Sequence, residues 1–496
     1  MKIGFDNEKY VRIQSEHIRE RIEQFQGKLY MEFGGKLADD YHAARVLPGF
    51  EPDGKLKMLM QLREVAEIII VISAKDIEKN KVRSDLGITY DIDVLRLRDE
   101  FIGRGFNVNS VVITHYNGQQ SAIHFRQRLE RLNIRTYVHY TIEGYPNNVA
   151  LIDSDEGFGR NDYVVTKKPL VVVTAPGPGS GKMAVCLSQL YQENKRGIKA
   201  GYAKFETFPI WNIALKHPLN VAYEAATADL DDVNMIDPFH LDAYGTLAVN
   251  YNRDIEIFPV LDSIFEGIYG SNPYKSPTDM GVNMIGECIS DDKVCCDAAR
   301  QEIVRRYYGA LNKLADGDCN DAEVNKIALL MRQVGINTDY RRCTVAAKEA
   351  RQRSGVDAAA IEFQDGTIIT ATSSPLLGPS AALLLNATKY LAGIPHEEKL
   401  IPAEMIEPIQ KMKVSYLHGH NPRLHTDEVL VALSMLSRSD DNCRHAIEQL
   451  PRLVGCQVHT TVMLSEVDRK IFNKLGISLT CEPIKKKKKL YPSFIG

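Results

Sequence analysis

Three things are missing from this 496-residue chain, and each absence closes off a class of function. An excess of one charge is missing: 61 Lys and Arg stand against 64 Asp and Glu, a formal net charge of -3. Such a balance argues against a protein whose main task is to coat nucleic acid or an anionic membrane. Long apolar runs are missing too. The best, residues 68–72, is strand-sized, far short of the roughly 18 residues that mark a membrane span. The first eight residues turn polar at once and do not read as a signal peptide. Paired cysteines are the third absence. The nine cysteines are scattered with no Cys-x-x-Cys, so neither a disulfide framework nor a zinc ribbon is expected. What remains is the ordinary mixture of a globular protein, 44% apolar and 25% charged. At roughly 100–200 residues per domain it has room for about three domains. The expectation is a cytoplasmic, reduced chain acting on a small-molecule substrate, with no nucleic-acid or membrane partner and with homo-oligomerisation left open.

Periodicity then organises the chain. Helical spacing over 15–26, 58–67, 94–103 and 122–132 alternates with strands at 28–33, 67–73, 110–114 and 136–140. Strands alternating with crossover helices predict a parallel α/β layer. A polar stretch at 153–162 reads as a surface loop and a domain boundary. The alternation restarts with a strand at 170–174, a helix at 182–195 and a strand at 199–205. A long helix is predicted at 297–312, followed by a second boundary at 316–321. Helices at 325–333, 381–392 and 427–436 then mix with strands at 359–363 and 457–464. The fold class expected is α/β: a parallel-sheet N-terminal domain (1–165), a P-loop-like α/β middle domain (166–318) and an α+β C-terminal domain (319–496). Five lysines at 485–489 read as a solvated tail, with a polyanion contact as the other reading.

The sharpest motif is Val173-Thr174-Ala175-Pro176-Gly177-Pro178-Gly179-Ser180-Gly181-Lys182-Met183, a buried strand entering a glycine-rich turn and then a helix. Gly177, Gly179 and Gly181 let backbone N–H groups converge on an anion, with Ser180 among them, and the helix adds the positive end of its dipole. Lys182 in the first turn would reach the phosphates of ATP or another nucleotide. Two departures stand out. Pro176 occupies the place of the first glycine, and Met183 replaces the hydroxyl that ordinarily binds Mg²⁺. Magnesium would then rely on Ser180, Thr174 or a distant carboxylate. A glycine turn that binds only a substrate phosphate, or nothing, accounts for the same residues.

The layout of strand, loop, helix and strand resembles the P-loop branch that contains dethiobiotin synthetase and CTP synthetase. That resemblance covers about forty residues and implies catalytic roles for Lys204 and Glu206 at the end of the following strand. Downstream, residues 227–240 carry an acidic series, in which Asp229, Asp232 and Asp237 are candidate Mg²⁺ ligands. A solvated acidic loop is the alternative.

Unusual phrases run the whole length of the chain. Among them are Met31-Glu32-Phe33-Gly34-Gly35-Lys36-Leu37, Leu47-Pro48-Gly49-Phe50-Glu51-Pro52, Ala203-Lys204-Phe205-Glu206-Thr207, Ser276-Pro277-Thr278-Asp279-Met280-Gly281 and Asn421-Pro422-Arg423-Leu424-His425. Together they resemble the bacterial family catalogued as domain of unknown function 1846. The resemblance implies no established activity, although some members have been labelled ATP-dependent zinc proteases. The residues do not support that label: no His-Glu-x-x-His is present, and no stoichiometric zinc is expected. The nearest histidine cluster places His420, Arg423 and His425 as substrate contacts, with metal binding and a plain solvated loop as alternatives. Cys295-Cys296 reads as buried packing at a helix start. The function expected is a nucleotide-dependent small-molecule enzyme performing kinase- or ligase-like phosphoryl transfer. The alternative is a non-catalytic nucleotide sensor or scaffold.

Overall fold

The computed structural model describes residues 2–34, 37, 40–83 and 87–485. Seven parallel strands form its main sheet: β1 (Leu29–Phe33), β2 (Ala66–Ser73), β3 (Asn107–Tyr116), β4 (Thr136–Tyr140), β5 (Leu170–Thr174), β6 (Gly201–Phe205) and β7 (Gly281–Val282). The order across the sheet is β7-β6-β1-β5-β2-β3-β4. Strands β1, β2 and β5 are buried along their whole length, as unbroken apolar runs must be when helices cover both faces. The helices that bring this about include Asn7–Gln24, Tyr90–Gly103, Gln120–Arg131, Lys182–Lys195 and Asn252–Tyr269.

Strand order explains more than strand content. The chain lays down β1, skips one place to β2, and runs out through β3 and β4 to one edge. It then returns to fill the gap. Leu170 to Val173 pair with Leu29 to Glu32 on one side, and Leu170 to Thr174 pair with Ala66 to Ile70 on the other. Afterwards β6 and β7 extend the opposite edge. The separate N-terminal and middle domains expected from the sequence therefore share a single sheet. A division at residue 165 would cut the centre out of it.

The polar stretch at 153–162, expected to be an exposed boundary, is instead stitched into the core. Phe158 is fully buried in the apolar cluster with Val171, Leu187 and Phe265. The neighbouring polar groups find partners on the helix Lys182–Lys195. Asn161 donates to the Ser188 hydroxyl at 3.1 Å, and the Gln192 amide donates to the Asn161 carbonyl at 2.7 Å. Polar composition marked this segment as a loop correctly; its burial follows from helix side chains that satisfy its backbone.

Beyond the sheet, the C-terminal part is α+β, as expected. Strands β8 (Ala358–Glu362), β9 (Ile368–Thr372), β10 (Gln457–Thr460) and β11 (Ser478–Cys481) form a mixed sheet in the order β9-β8-β10-β11. Only β10 and β11 are parallel. Leu383, Leu384 and Phe472 pack on it. The chain divides into two compact units. One contains Lys2–Glu224 and Asp232–Cys296; the other takes Ala225–Asp231 and the chain from Asp297 onward. This division falls within the helix Asp292–Asp316, upstream of the boundary expected at 316–321. Of the lysine run, residues 486–489 lie outside the described residues, as do Gly35 and Lys36.

The entry of β5 into its gap is held by one buried carboxylate. Glu67, on β2, accepts from the backbone N–H groups of Lys167 and Lys168, the latter at 2.6 Å, and from the Asn109 amide at 2.6 Å. Glu67→Leu removes the acceptor and strands these donors. Hydrogen bonds to charged groups contribute about 1.5–3 kcal/mol each, net of the bonds to water that they replace. A loss of about 3 kcal/mol is expected, read as a lower urea midpoint than wild type.

Candidate functional site

In a parallel sheet every strand delivers its carboxyl end to the same edge. Open α/β sheets bind ligands there, at the place where neighbouring connections leave in opposite directions. Here that place lies between β5, whose connection runs to β6, and β2, whose connection runs to β3. The loop following β5 is the glycine-rich segment of residues 175–181.

This loop has the local geometry its glycines permit. Gly179 and Gly181 hold φ of 72° and 86°, left-handed values that disfavour a side chain. Gly181 is the N-cap of Lys182–Lys195. A Cβ on Gly177 would collide with the Tyr90 hydroxyl, whereas one on Gly179 would meet no atom within 4 Å. The loop thus leans on Tyr90 at one glycine and opens to solvent at the next. Ser180 is buried, and its hydroxyl donates to the Gly177 carbonyl at 3.1 Å. The Thr114 hydroxyl, from the end of β3, donates to the Ser180 carbonyl at 2.6 Å. Met183, where a metal-binding hydroxyl is usual, packs against the apolar core.

Two further groups reach this edge that no motif announced. His115, next to last in β3, holds a left-handed φ of 51°, and its Nδ1 lies 3.1 Å from the Ser73 hydroxyl at the end of β2. Burial, and then the Lys75 charge, lower its pKa, with Asp76 opposing, which favours the neutral ring. Thr114 and His115 are ordinary strand residues in the sequence; only the sheet order brings Thr114 to the loop and His115 to the end of β2.

Lys204 and Glu206 lie at the carboxyl end of β6, beside β1. The Lys204 ammonium is 3.0 Å from a Glu206 oxygen and 2.5 Å from an Asp254 oxygen. Glu32, on β1, is in register with Lys204 and accepts from the Tyr202 hydroxyl at 2.8 Å. Burial opposes the charge on Lys204, yet Asp254, Glu206 and Glu32 hold its pKa above the ordinary value. Glu206 is raised to about 7, first by burial, with Lys204 opposing and Asp254 and Glu32 adding to the rise. Lys204, for which the resemblance implied a catalytic role, is paired here with the Glu206 and Asp254 carboxylates as their counter-ion.

The three candidate Mg²⁺ ligands do not assemble. Asp229 is exposed in the turn Ala228–Leu230, in the other compact unit from Asp232 and Asp237. Asp232 is buried against Arg253, with an Nε to Oδ1 distance of 2.7 Å. Asp237 caps the helix Pro238–Tyr244: one oxygen accepts from the Phe239 and His240 amides, the other from the Thr278 amide and hydroxyl. Asp232 is spent on an ion pair and Asp237 on a cap, so neither is free to hold a cation.

His420, Arg423 and His425 belong to the unit that contains the C-terminal sheet. His420 is exposed in a loop, and Arg423 is half-buried. His425 is structural. It precedes the helix Thr426–Leu436, and its Nδ1 meets Asp468 at 3.0 Å. Asp468 also accepts from the Thr426 amide and hydroxyl and from the Ser465 hydroxyl. Burial alone would raise the Asp468 pKa, but these bonds overcome it and hold the group at about 2. The hydrogen bond to Asp468 raises that of His425.

Comparison with known proteins follows this geometry. The model of the family "Domain of unknown function DUF1846, N-terminal" matches residues 3–335, and that of its C-terminal domain matches residues 339–491. The chain belongs to this family. A UPF0371 protein of Corynebacterium urealyticum is 56% identical over 490 residues, covering 99% of both chains. One from Corynebacterium efficiens is 55% identical over 492 residues, and one from Streptococcus pyogenes 52% over 489, each again covering 99% of both chains. Among the described residues no helix is long and apolar enough to cross a membrane.

Asp468 yields a signed expectation. A carboxyl held at about 2 rather than 3.8 stabilises the fold by about 2 kcal/mol above pH 4, and this contribution disappears as pH falls through 2. The raised His425 works the other way, adding stability below its unfolded pKa that is lost as pH rises through the folded one. Asp468→Asn should therefore be less stable than wild type at pH 5, with the difference narrowing as pH approaches 2. Thermal melts across that range measure it.

Proposed function

We propose that this member of the DUF1846 family binds a nucleotide through the loop of residues 175–181 and transfers a phosphoryl group to or from a small molecule, in the manner of a kinase or ligase. The observation that carries this reading is the placement of a two-glycine, left-handed turn and a helix N-terminus at the switch point of the parallel sheet. Backbone N–H groups at such a terminus favour anions, and Lys182 supplies the full positive charge. Tyr90 and Thr114 would hold the loop in shape from the outside. Glu206, with its pKa near neutrality, would serve as the general base for an acceptor group, positioned by Lys204. The Mg²⁺ expected from the acidic series does not fit these donors, since Asp232 and Asp237 are committed elsewhere, and no step is assigned to it.

A second reading, a nucleotide sensor without catalysis, is favoured by one observation. Met183 packs on the core where phosphotransferases of this loop type place the metal hydroxyl. Turnover of ATP by purified protein against a metabolite panel separates the two readings.

Lys182→Ala is expected to weaken ATP binding about ten- to hundredfold, the equivalent of one charge-assisted contact of roughly 1.5–3 kcal/mol, with little change in stability. Gly179→Val should bind more weakly still, because its side chain would enter the open side of the loop and strain a left-handed residue. Calorimetry with ATP, GTP and CTP on wild type and both variants measures this. Binding by wild type only above millimolar concentration, or unchanged binding by Lys182→Ala, would sink the proposal.

A further inference from the structure

We propose that His217, Asp292 and Cys296 form a three-ligand site for a thiophilic divalent cation, zinc by preference. Among the described residues these side chains make the one group of three or more histidine, cysteine or carboxylate ligand atoms gathered within 4.8 Å of one another. They come from two places held firmly by the fold. Asp292 and Cys296 stand one turn apart at the start of the helix Asp292–Asp316. His217 closes a turn onto the Ala214 carbonyl just before the helix Pro218–Ala226. Nearby, the Asn212 amide donates to Glu287 at 2.9 Å, and Asn220 brackets the backbone of Ile210 with both amide atoms.

The distances match the polyhedron a metal would impose. A tetrahedral zinc with bonds of about 2.3 Å to sulfur and 2.0–2.1 Å to nitrogen and oxygen sets N···S and O···S at about 3.5 Å and N···O at about 3.3 Å. In the protein, Cys296 Sγ lies 3.5 Å from His217 Nε2 and 3.5 Å from Asp292 Oδ2. The third edge, His217 Nε2 to Asp292 Oδ1, is 2.9 Å. Two edges already have the right length, and the third opens by a few tenths of an ångström. Nitrogen, oxygen and sulfur together form the donor set of a borderline-soft ion; magnesium and calcium prefer oxygen alone.

Burial supports a site that is anchored but reachable. Cys296 is 9% exposed, whereas the Asp292 side chain is 62% exposed. A fourth position would face solvent on the aspartate side. Without metal, the Leu219 amide donates to His217 Nδ1 at 3.3 Å, so Nε2 carries the ring proton and directs it at Asp292. Capture of the cation sends the Cys296 thiol proton to solvent and moves the ring proton from Nε2 to Nδ1. The contacts among the three side chains and the long Leu219 hydrogen bond are exchanged for three coordinate bonds, and the coordinate bonds are the stronger. The sequence expectation of no zinc rested on the lack of spacing motifs, and no such motif could have shown this site, because the histidine and the aspartate are 75 residues apart.

Full-length protein, reduced and freed of metal by chelator, is titrated with Co²⁺ alone. The expected result is one equivalent bound per chain, with the strong visible bands of a tetrahedral ion and a thiolate-to-cobalt charge-transfer band, both displaced by Zn²⁺. Cys296→Ser should lose the charge-transfer band. Asp292→Asn, at an exposed position that leaves folding intact, should weaken binding by about tenfold or more. A weak octahedral spectrum without charge transfer in wild type would overturn the proposal. So would unchanged affinity in Asp292→Asn, which decides the matter even if Cys296→Ser fails to fold.

Discussion

The central strand of the main sheet is made only after both of the strands that flank it. Until residues 170–174 arrive, β1 and β2 each present an unpaired row of backbone donors and acceptors toward a gap one strand wide. Buried backbone groups left unpaired are costly, so neither neighbour is complete without β5. Glu67 holds the entry to this gap, about a hundred residues upstream of the amides it accepts. Because β5 leaves toward one edge while β2 leaves toward the other, the glycine loop is delivered into the crevice between them. The candidate site is thus a consequence of strand order before it is a consequence of any side chain.

Charge is distributed around that crevice in a consistent way. On the β5 side, the loop offers backbone N–H groups, a helix N-terminus and Lys182, all favourable to an anion. On the β6 side, Lys204 is shared among Asp254, Glu206 and Glu32, so the cluster carries excess negative charge. Burial first, and then the Asp254 and Glu32 charges, raise Glu206 toward neutrality, while the amine of Lys204 stays paired with carboxylates. Under the proposed function, a phosphate would meet positive polarity at one end of the edge, and an acceptor would meet the Glu206 carboxylate at the other.

Local elements were readable where local physics sets them. The strands at 136–140 and 170–174 and the helix at 182–195 occur with the boundaries expected from periodicity. Each has an apolar pattern that suits one period and polar or glycine residues at its ends. Reading failed where the same residue type serves two purposes. The polar stretch at 153–162 looked like an exposed boundary, yet Ser188 and Gln192 satisfy it inside the core. Asp232 and Asp237 looked like cation ligands, yet one neutralises Arg253 and the other caps a helix. His425 looked like a substrate contact, yet it is paired with a buried aspartate.

By itself the sequence determined the alternation of strands and helices, the glycine turn that follows a buried strand, and membership of a family whose phrases span the chain. Those properties rest on interactions within a few residues, where backbone preference and apolar periodicity act. Only the tertiary structure decided that two expected domains are one sheet, that Thr114 and Tyr90 lie against the loop, and that His217 meets Asp292 and Cys296. These meetings depend on which strand or helix lies beside which. That is settled by the burial of apolar faces and the pairing of backbone edges over the whole unit, at sequence separations that no local pattern encodes.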